Sequence, residues 1–163
     1  METLQHSFLL KKLGLPYFKG LSTFGALSDD AIIQLLESGH VKKLDRGDVL
    51  YRWGEETTGF NIILKGDLAF YKHCENFDVL TRHFTSGEEG SFDRLIGLLP
   101  HSGTAVATEE TLVLEISHDQ FFAFHLDHPA DFGILMINLA RELSREIDML
   151  ERLIGEIAPL RTL

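Results

Sequence analysis

Two different periods of apolar and polar positions run along the chain, and the change from one to the other organises it. Leu4, Phe8, Leu9 and Leu13, interleaved with Lys11 and Lys12, recur at helical spacing and predict a helix over 4–13 that stops before Gly14 and Pro16. Ser28 is the predicted N-cap of a second helix, with Asp29 and Asp30 in its first turn, where carboxylates suit the positive end of the helix dipole. Ile32, Ile33, Leu35 and Leu36 form its apolar face and Gly39 its stop. From His40 the pattern shortens to segments of strand length. These are 41–45, 49–53, 60–64, 68–73, 79–84, 104–108 and 112–116, separated by Gly, Asn and Asp turns, with Glu75-Asn76 as a hairpin tip. Such spacing predicts a sandwich or roll rather than βαβ units. Between Gly87 and Gly103 a short apolar piece, Leu95, Ile96, Leu98 and Leu99, interrupts the strands.

After Ile116 the helical period returns. Ser117 with Gln120 forms a capping box ahead of Phe121, Phe122 and Phe124, which are read as core anchors rather than a cofactor box. Pro129 ends that helix and a longer one follows from about Ala130 to Ile157. Its apolar residues Leu143, Ile147, Leu150, Ile154 and Ile157 fall at steps of four, three, four and three, a heptad seam. Ile147 and Ile154 at a with Leu143, Leu150 and Ile157 at d favour a parallel two-stranded coil, so a homodimer is expected. The alternative is that the stripe packs on the chain's own roll. Glu146 at g and Glu151 at the next e would repel across such a pair by a few tenths of a kcal/mol. The organisation is therefore one domain: helices over 1–39 packing on the roll, a β core over 40–116, and C-terminal helices over 117–163 that include the dimer helix.

Composition narrows the function. The 15 basic and 25 acidic residues give a net charge of −10, which argues against a nucleic-acid footprint and against anionic membranes. The single cysteine, Cys74, excludes an internal disulfide framework and fits a reducing compartment, so cytoplasm is expected. No apolar run reaches the length of a spanning helix.

The run Arg46-Gly47-Asp48-Val49-Leu50-Tyr51-Arg52-Trp53-Gly54-Glu55, continued by Phe60-Asn61-Ile62-Ile63-Leu64-Lys65-Gly66-Asp67, strongly resembles the cyclic-nucleotide-binding domain superfamily, in particular its catabolite-activator and fumarate-nitrate-regulator branch. The match covers roughly 24–156 and rests on Gly47, Gly54, Gly66 and Gly87 in register with strand patterns, positions suited to turns with positive φ. Pro100 to Thr111 also looks like the family without gaps. The resemblance implies a mainly β fold with flanking helices: an eight-stranded double-stranded β-helix jelly roll followed by a long helix that dimerises and borders the ligand pocket.

In the family, backbone amides at a short helix and an arginine hold the ligand phosphate, and the glutamate of a Phe-Gly-Glu motif binds the ribose. The resembling segment here departs from that pattern. Aligned without gaps, Gly90-Ser91-Phe92 takes the place of Phe-Gly-Glu, His101 replaces the arginine, Ser102 keeps the neighbouring hydroxyl, and Asp93 adds a negative charge. Losing a buried charge partner costs about 2 to 5 kcal/mol, and losing a hydrogen bond to a charged group about 1.5 to 3. Together these amount to roughly three to five decades of affinity. The candidate pocket comprises Gly90, Ser91, Phe92, Asp93, Arg94, Leu95, His101, Ser102, Gly103 and Thr104. Phe92, Leu95 and Leu98 are expected to make it greasier. Arg94 is read as a solvated helix-surface charge, and a protonated His101 is the other substitute for the missing cation.

His73, Cys74 and His83, or His125, Asp127 and His128, have partial metal- or haem-ligand spacing but are read as exposed polar side chains. No hydrolase elbow, zincin, phosphate-loop or dinucleotide motif occurs, so no catalytic residue, metal or cofactor is expected. Only six residues follow Ile157, too few for a helix-turn-helix, and no direct DNA binding is expected. The expected function is a stand-alone, dimeric sensor or regulatory domain whose diverged cassette takes a different small effector or none. The alternatives are a genuine cyclic AMP or cyclic GMP receptor using Arg94 or His101, and a protein-interaction module with an empty pocket.

Overall fold

The computed structural model describes residues 2–4 and 6–157. Among the described residues, nine strands form two antiparallel sheets, with order β1-β2-β9-β4-β7 and β3-β8-β5-β6. The strands are β1 (Glu2–Leu4), β2 (His40–Leu44), β3 (Val49–Tyr51), β4 (Gly59–Lys65), β5 (Asp67–Cys74), β6 (Phe77–Thr85), β7 (Glu89–Gly90), β8 (Gly103–Ala107) and β9 (Thr111–Ser117). The helices are α1 (His6–Leu13), α2 (Leu15–Lys19), α3 (Asp29–Ser38), α4 (Phe92–Gly97), α5 (His118–Asp127) and α6 (Pro129–Ile157). This is the jelly roll with flanking helices and a long C-terminal helix. None of the described helices is long and apolar enough to cross a membrane.

The central strand β4 shows how the layers meet. Its run Phe60 to Leu64 is buried throughout, because both of its faces are covered. Phe60, Ile62 and Leu64 join Leu112, Leu114 and Ile116 of β9 beneath the helices, with Phe18, Phe24, Leu35 and Phe124. Ile63 points the other way, into the roll, with Leu44, Leu68, Phe84, Ala107 and Val113.

Several local signals act as the sequence suggests. Ser28 caps α3 by accepting from the Ala31 amide, and Ser117 and Gln120 complete the capping box of α5. Gly47, Gly54, Gly66 and Gly87 all have positive φ, between 81° and 100°. At Gly66, which turns β4 into β5, a Cβ would stand 2.5 Å from Thr111 Oγ1 and 2.8 Å from Glu110 O, so both conformation and space demand glycine.

Two elements differ from expectation. Leu4 lies in a strand, not a helix: Glu2–Leu4 adds to the edge of β2 with Leu4 opposite Val41, and the helix begins only at His6. Strand β7 pairs with Asn61 and Ile62 of β4 and is too short to leave a period in the sequence. The α5 aromatics also divide, with Phe124 buried, Phe121 partly buried against the core and Phe122 exposed.

Candidate functional site

A cavity of about 240 Å³ lies between the four-stranded sheet, α4 and α6. Its floor is built by Ser91, the residue that precedes α4. Ser91 adopts a left-handed conformation (φ 76°, ψ 7°), unusual for a residue with a side chain. That turn fixes the register of the whole segment: Ser91 faces the cavity, and Phe92 swings to the opposite side, into the main core, where its ring meets Phe60 edge-on at 5.5 Å and Phe121 at 6.0 Å.

The expected set therefore separates. Ser91, Asp93, Arg94, His101 and Ser102 line the cavity. Phe92 and Leu95 belong to the core, and Leu98 is 81% exposed, so the greasy cassette expected from these residues is corrected to a polar one. Gly90 sits behind the cavity wall, where a Cβ would contact Phe84 and the Tyr51 hydroxyl at 3.6 Å. Gly103 is buried against β5, and Thr104 Oγ1 accepts the Trp53 amide at 3.2 Å, outside the cavity.

His101 is not a stand-in cation. It is 7% exposed, stacks on Tyr51 with centroids 3.8 Å apart, and its Nδ1 lies 3.2 Å from Ser91 Oγ. Removal from water holds its pKa below the usual value, so the ring is predominantly neutral at pH 7. Arg94, by contrast, is not a solvated charge: it forms part of the wall, its Nε 2.7 Å from Asp93 Oδ2.

The wall also holds residues that the sequence pattern does not single out. Glu89 is almost fully buried, and its Oε2 accepts the Phe92 amide at 3.0 Å. Burial pushes this carboxyl up to about 8, aided by Asp93 and Glu146 and opposed by that hydrogen bond and by Arg82, so it is mainly protonated at neutral pH. Tyr51, Phe70, Lys72 and Phe84 come from strands, and Glu146 and Leu150 from α6. Arg82 on β6 binds Glu146 at 2.7 Å and stands over the Phe84 ring at 4.2 Å, which ties the cavity's sheet to the long helix.

Three further histidines, His73, His83 and His128, have local partners. His73 Nδ1 is 2.8 Å from Asp78, and His83 Nδ1 is 2.7 Å from Asp67. Their register places His73 opposite Asp78 and His83 opposite Ala69, four residues apart along β5 and so about 13 Å. That is too far to share an ion. His128 lies 3.9 Å from Asp131.

Residues 41–128, more than half of the chain, match the family model described as the cyclic nucleotide-binding domain. The chain belongs to the cyclic nucleotide-binding domain family. Among solved structures, this cyclic nucleotide-binding domain is similar to one from Methylobacillus flagellatus (17% identity, TM-score 0.81, covering 99% of this chain and 92% of the other). It is also similar to the Thermus thermophilus catabolite activator protein (18% identity, TM-score 0.70, covering 83% of this chain and 62% of the other). A third is the sensor domain of the Pseudomonas aeruginosa transcriptional regulator DNR (16% identity, TM-score 0.65, covering 94% and 99%). At these identities the likeness is one of fold. No curated protein matches the sequence. The fold and family are those of a regulatory domain.

Proposed function

We propose that this chain is a dimeric sensor domain in which a small effector other than a cyclic nucleotide occupies the cavity and shifts α6. The observation that carries the reading is the Ser91–His101 pair. A hydrogen-bonded serine and neutral histidine stand in the segment where the family pattern brings a glutamate and an arginine. The cavity, about 240 Å³, is also below the roughly 300–1,000 Å³ of ordinary ligand pockets.

Coupling to the helix is supported by Glu146 and Leu150, which belong at once to the cavity wall and to the helix that carries the heptad seam. An effector that prefers one placement of these two side chains biases α6 by that preference. On the seam, Leu143 packs against the core while Ile147, Leu150, Ile154 and Ile157 are left exposed, 41% to 79%. Glu146 is drawn off by Arg82, which relieves the repulsion with Glu151 expected for a parallel pair.

A second reading, cyclic-nucleotide receptor, draws on Glu89 and Arg94, which bring a carboxyl and a guanidinium into the cavity. Against it, Glu89 is largely protonated and already bonded to the Phe92 amide, so it offers no free carboxylate to a ribose. Sedimentation velocity tests the dimer. The chain is expected to run as a dimer at micromolar concentration, and the variant Ile147→Glu/Ile154→Glu as a folded monomer. A monomeric parent chain overturns the dimeric reading, and saturable cyclic AMP binding overturns the choice of effector.

A further inference from the structure

We infer that the cavity takes a small organic monoanion with an apolar body, its acidic group held between Lys72 of β5 and Arg94 of α4. This rests on the reading of the cavity as an effector pocket and names the chemistry of its ligand.

The charged residues of the wall are Lys72, Glu89, Asp93, Arg94 and Glu146. Asp93 is matched by Arg94 at 2.7 Å, and Glu146 by Arg82 at 2.7 Å. Lys72 has no anionic partner among the described residues, so it leaves one positive charge uncompensated beside the cavity. Glu89 does not cancel it at neutral pH, because burial keeps that carboxyl mostly protonated.

A second, independent feature points the same way. Arg94 Nε is buried and makes no hydrogen bond, since the Asp93 oxygen at 2.7 Å lies out of line with its N–H. The terminal N–H groups of the same guanidinium have no partner among the described residues, and an acceptor arriving in the cavity would meet them. Lys72 and Arg94 reach the cavity from different elements, the sheet and the short helix, so one acidic group between them would join the two. A second negative charge on the ligand would meet Asp93 and Glu146 with no further unpaired cation to offset it.

The remaining wall sets the body of the ligand. Phe70, Phe84 and Leu150 offer apolar surface, and protonated Glu89 adds a donor. A volume of about 240 Å³, below the roughly 300–1,000 Å³ of ordinary ligand pockets, limits the ligand to a small acid. An aryl carboxylate combines these properties.

The test uses the full chain and matched acid and amide pairs: benzoate with benzamide, and phenylacetate with phenylacetamide, followed by thermal unfolding and calorimetric titration at pH 7. The acids are expected to raise the unfolding midpoint and to bind at least about tenfold more tightly than their amides, the difference carried by one charge-assisted hydrogen bond. Lys72→Met and Arg94→Gln should each lose at least about tenfold in acid affinity, which brings the acids close to their amides. Equal binding of acid and amide, acid binding indifferent to Lys72→Met, or no response to either acid overturns the inference. None of these outcomes touches the non-nucleotide effector reading, which falls only to cyclic-nucleotide binding.

Discussion

Replacing Glu89 by glutamine is expected to remove a large loss of stability that the parent chain suffers as the pH rises. The ordinary value of this carboxyl is 4.5, and burial in the folded chain raises it to about 8. Between those values the unfolded chain releases the proton while the folded chain retains it, so the stability of the parent falls continuously with rising pH and levels off above about 8. At about 1.4 kcal/mol per pH unit, the whole loss is on the order of 3 to 5 kcal/mol. Glutamine has the same shape, can still accept the Phe92 amide, and carries no charge to bury. Urea unfolding of both proteins from pH 5 to pH 8.5 should show Glu89→Gln gaining on the parent across the interval. Other titrating groups change both proteins alike and cancel in the difference. A difference that stays constant with pH contradicts the buried, protonated Glu89.

The second large effect separates core from pocket in the segment after Gly90. Phe92→Ala should cost about 3 to 5 kcal/mol, the range for emptying a buried aromatic site. The ring is 1% exposed and stands edge-on to both Phe60 and Phe121, so its removal leaves a hole beneath α4 that neighbours on two other elements cannot close. The unfolding midpoint should fall by about 10 °C for a chain of this size. Leu98→Ala, at the exposed end of the same segment, should change stability by no more than about 0.5 kcal/mol. If Phe92→Ala unfolds like the parent chain, Phe92 is a pocket residue after all and the register described for Ser91 is wrong.

That register marks the limit of what the sequence discloses. The roll was legible because its signals are local. Glycines at 47, 54, 66 and 87 enforce turns that few other residues make, and Ser28 and the Ser117–Gln120 pair start helices through their own hydrogen bonds. Leu4 read as helical because three residues of edge strand are too few to establish alternation, and they owe their conformation to pairing with β2.

The cavity was legible only in part, because what decides it is tertiary. A left-handed Ser91 reverses which of two adjacent residues faces inward, and nothing in the residue type announces it. Glu88 and Glu89 look alike in the sequence. Glu88 accepts the Thr85 amide and stays partly exposed, whereas Glu89 is sealed beneath α4 and opposite α6. Lys72 and Glu146 lie far from the glycine-marked segment and reach the cavity only through the folding of β5 and α6.

The central claim is that the electrostatic grip of the family's ligand site has been replaced here, and calorimetric titration with cyclic AMP and cyclic GMP at pH 7 tests it most directly. With Phe92 at the place of the acid and a neutral His101 at that of the arginine, no saturating binding is expected below about 100 µM. A clear isotherm at lower concentration, weakened by both Glu89→Gln and Arg94→Gln, would show that those two side chains hold a cyclic nucleotide and would contradict the account.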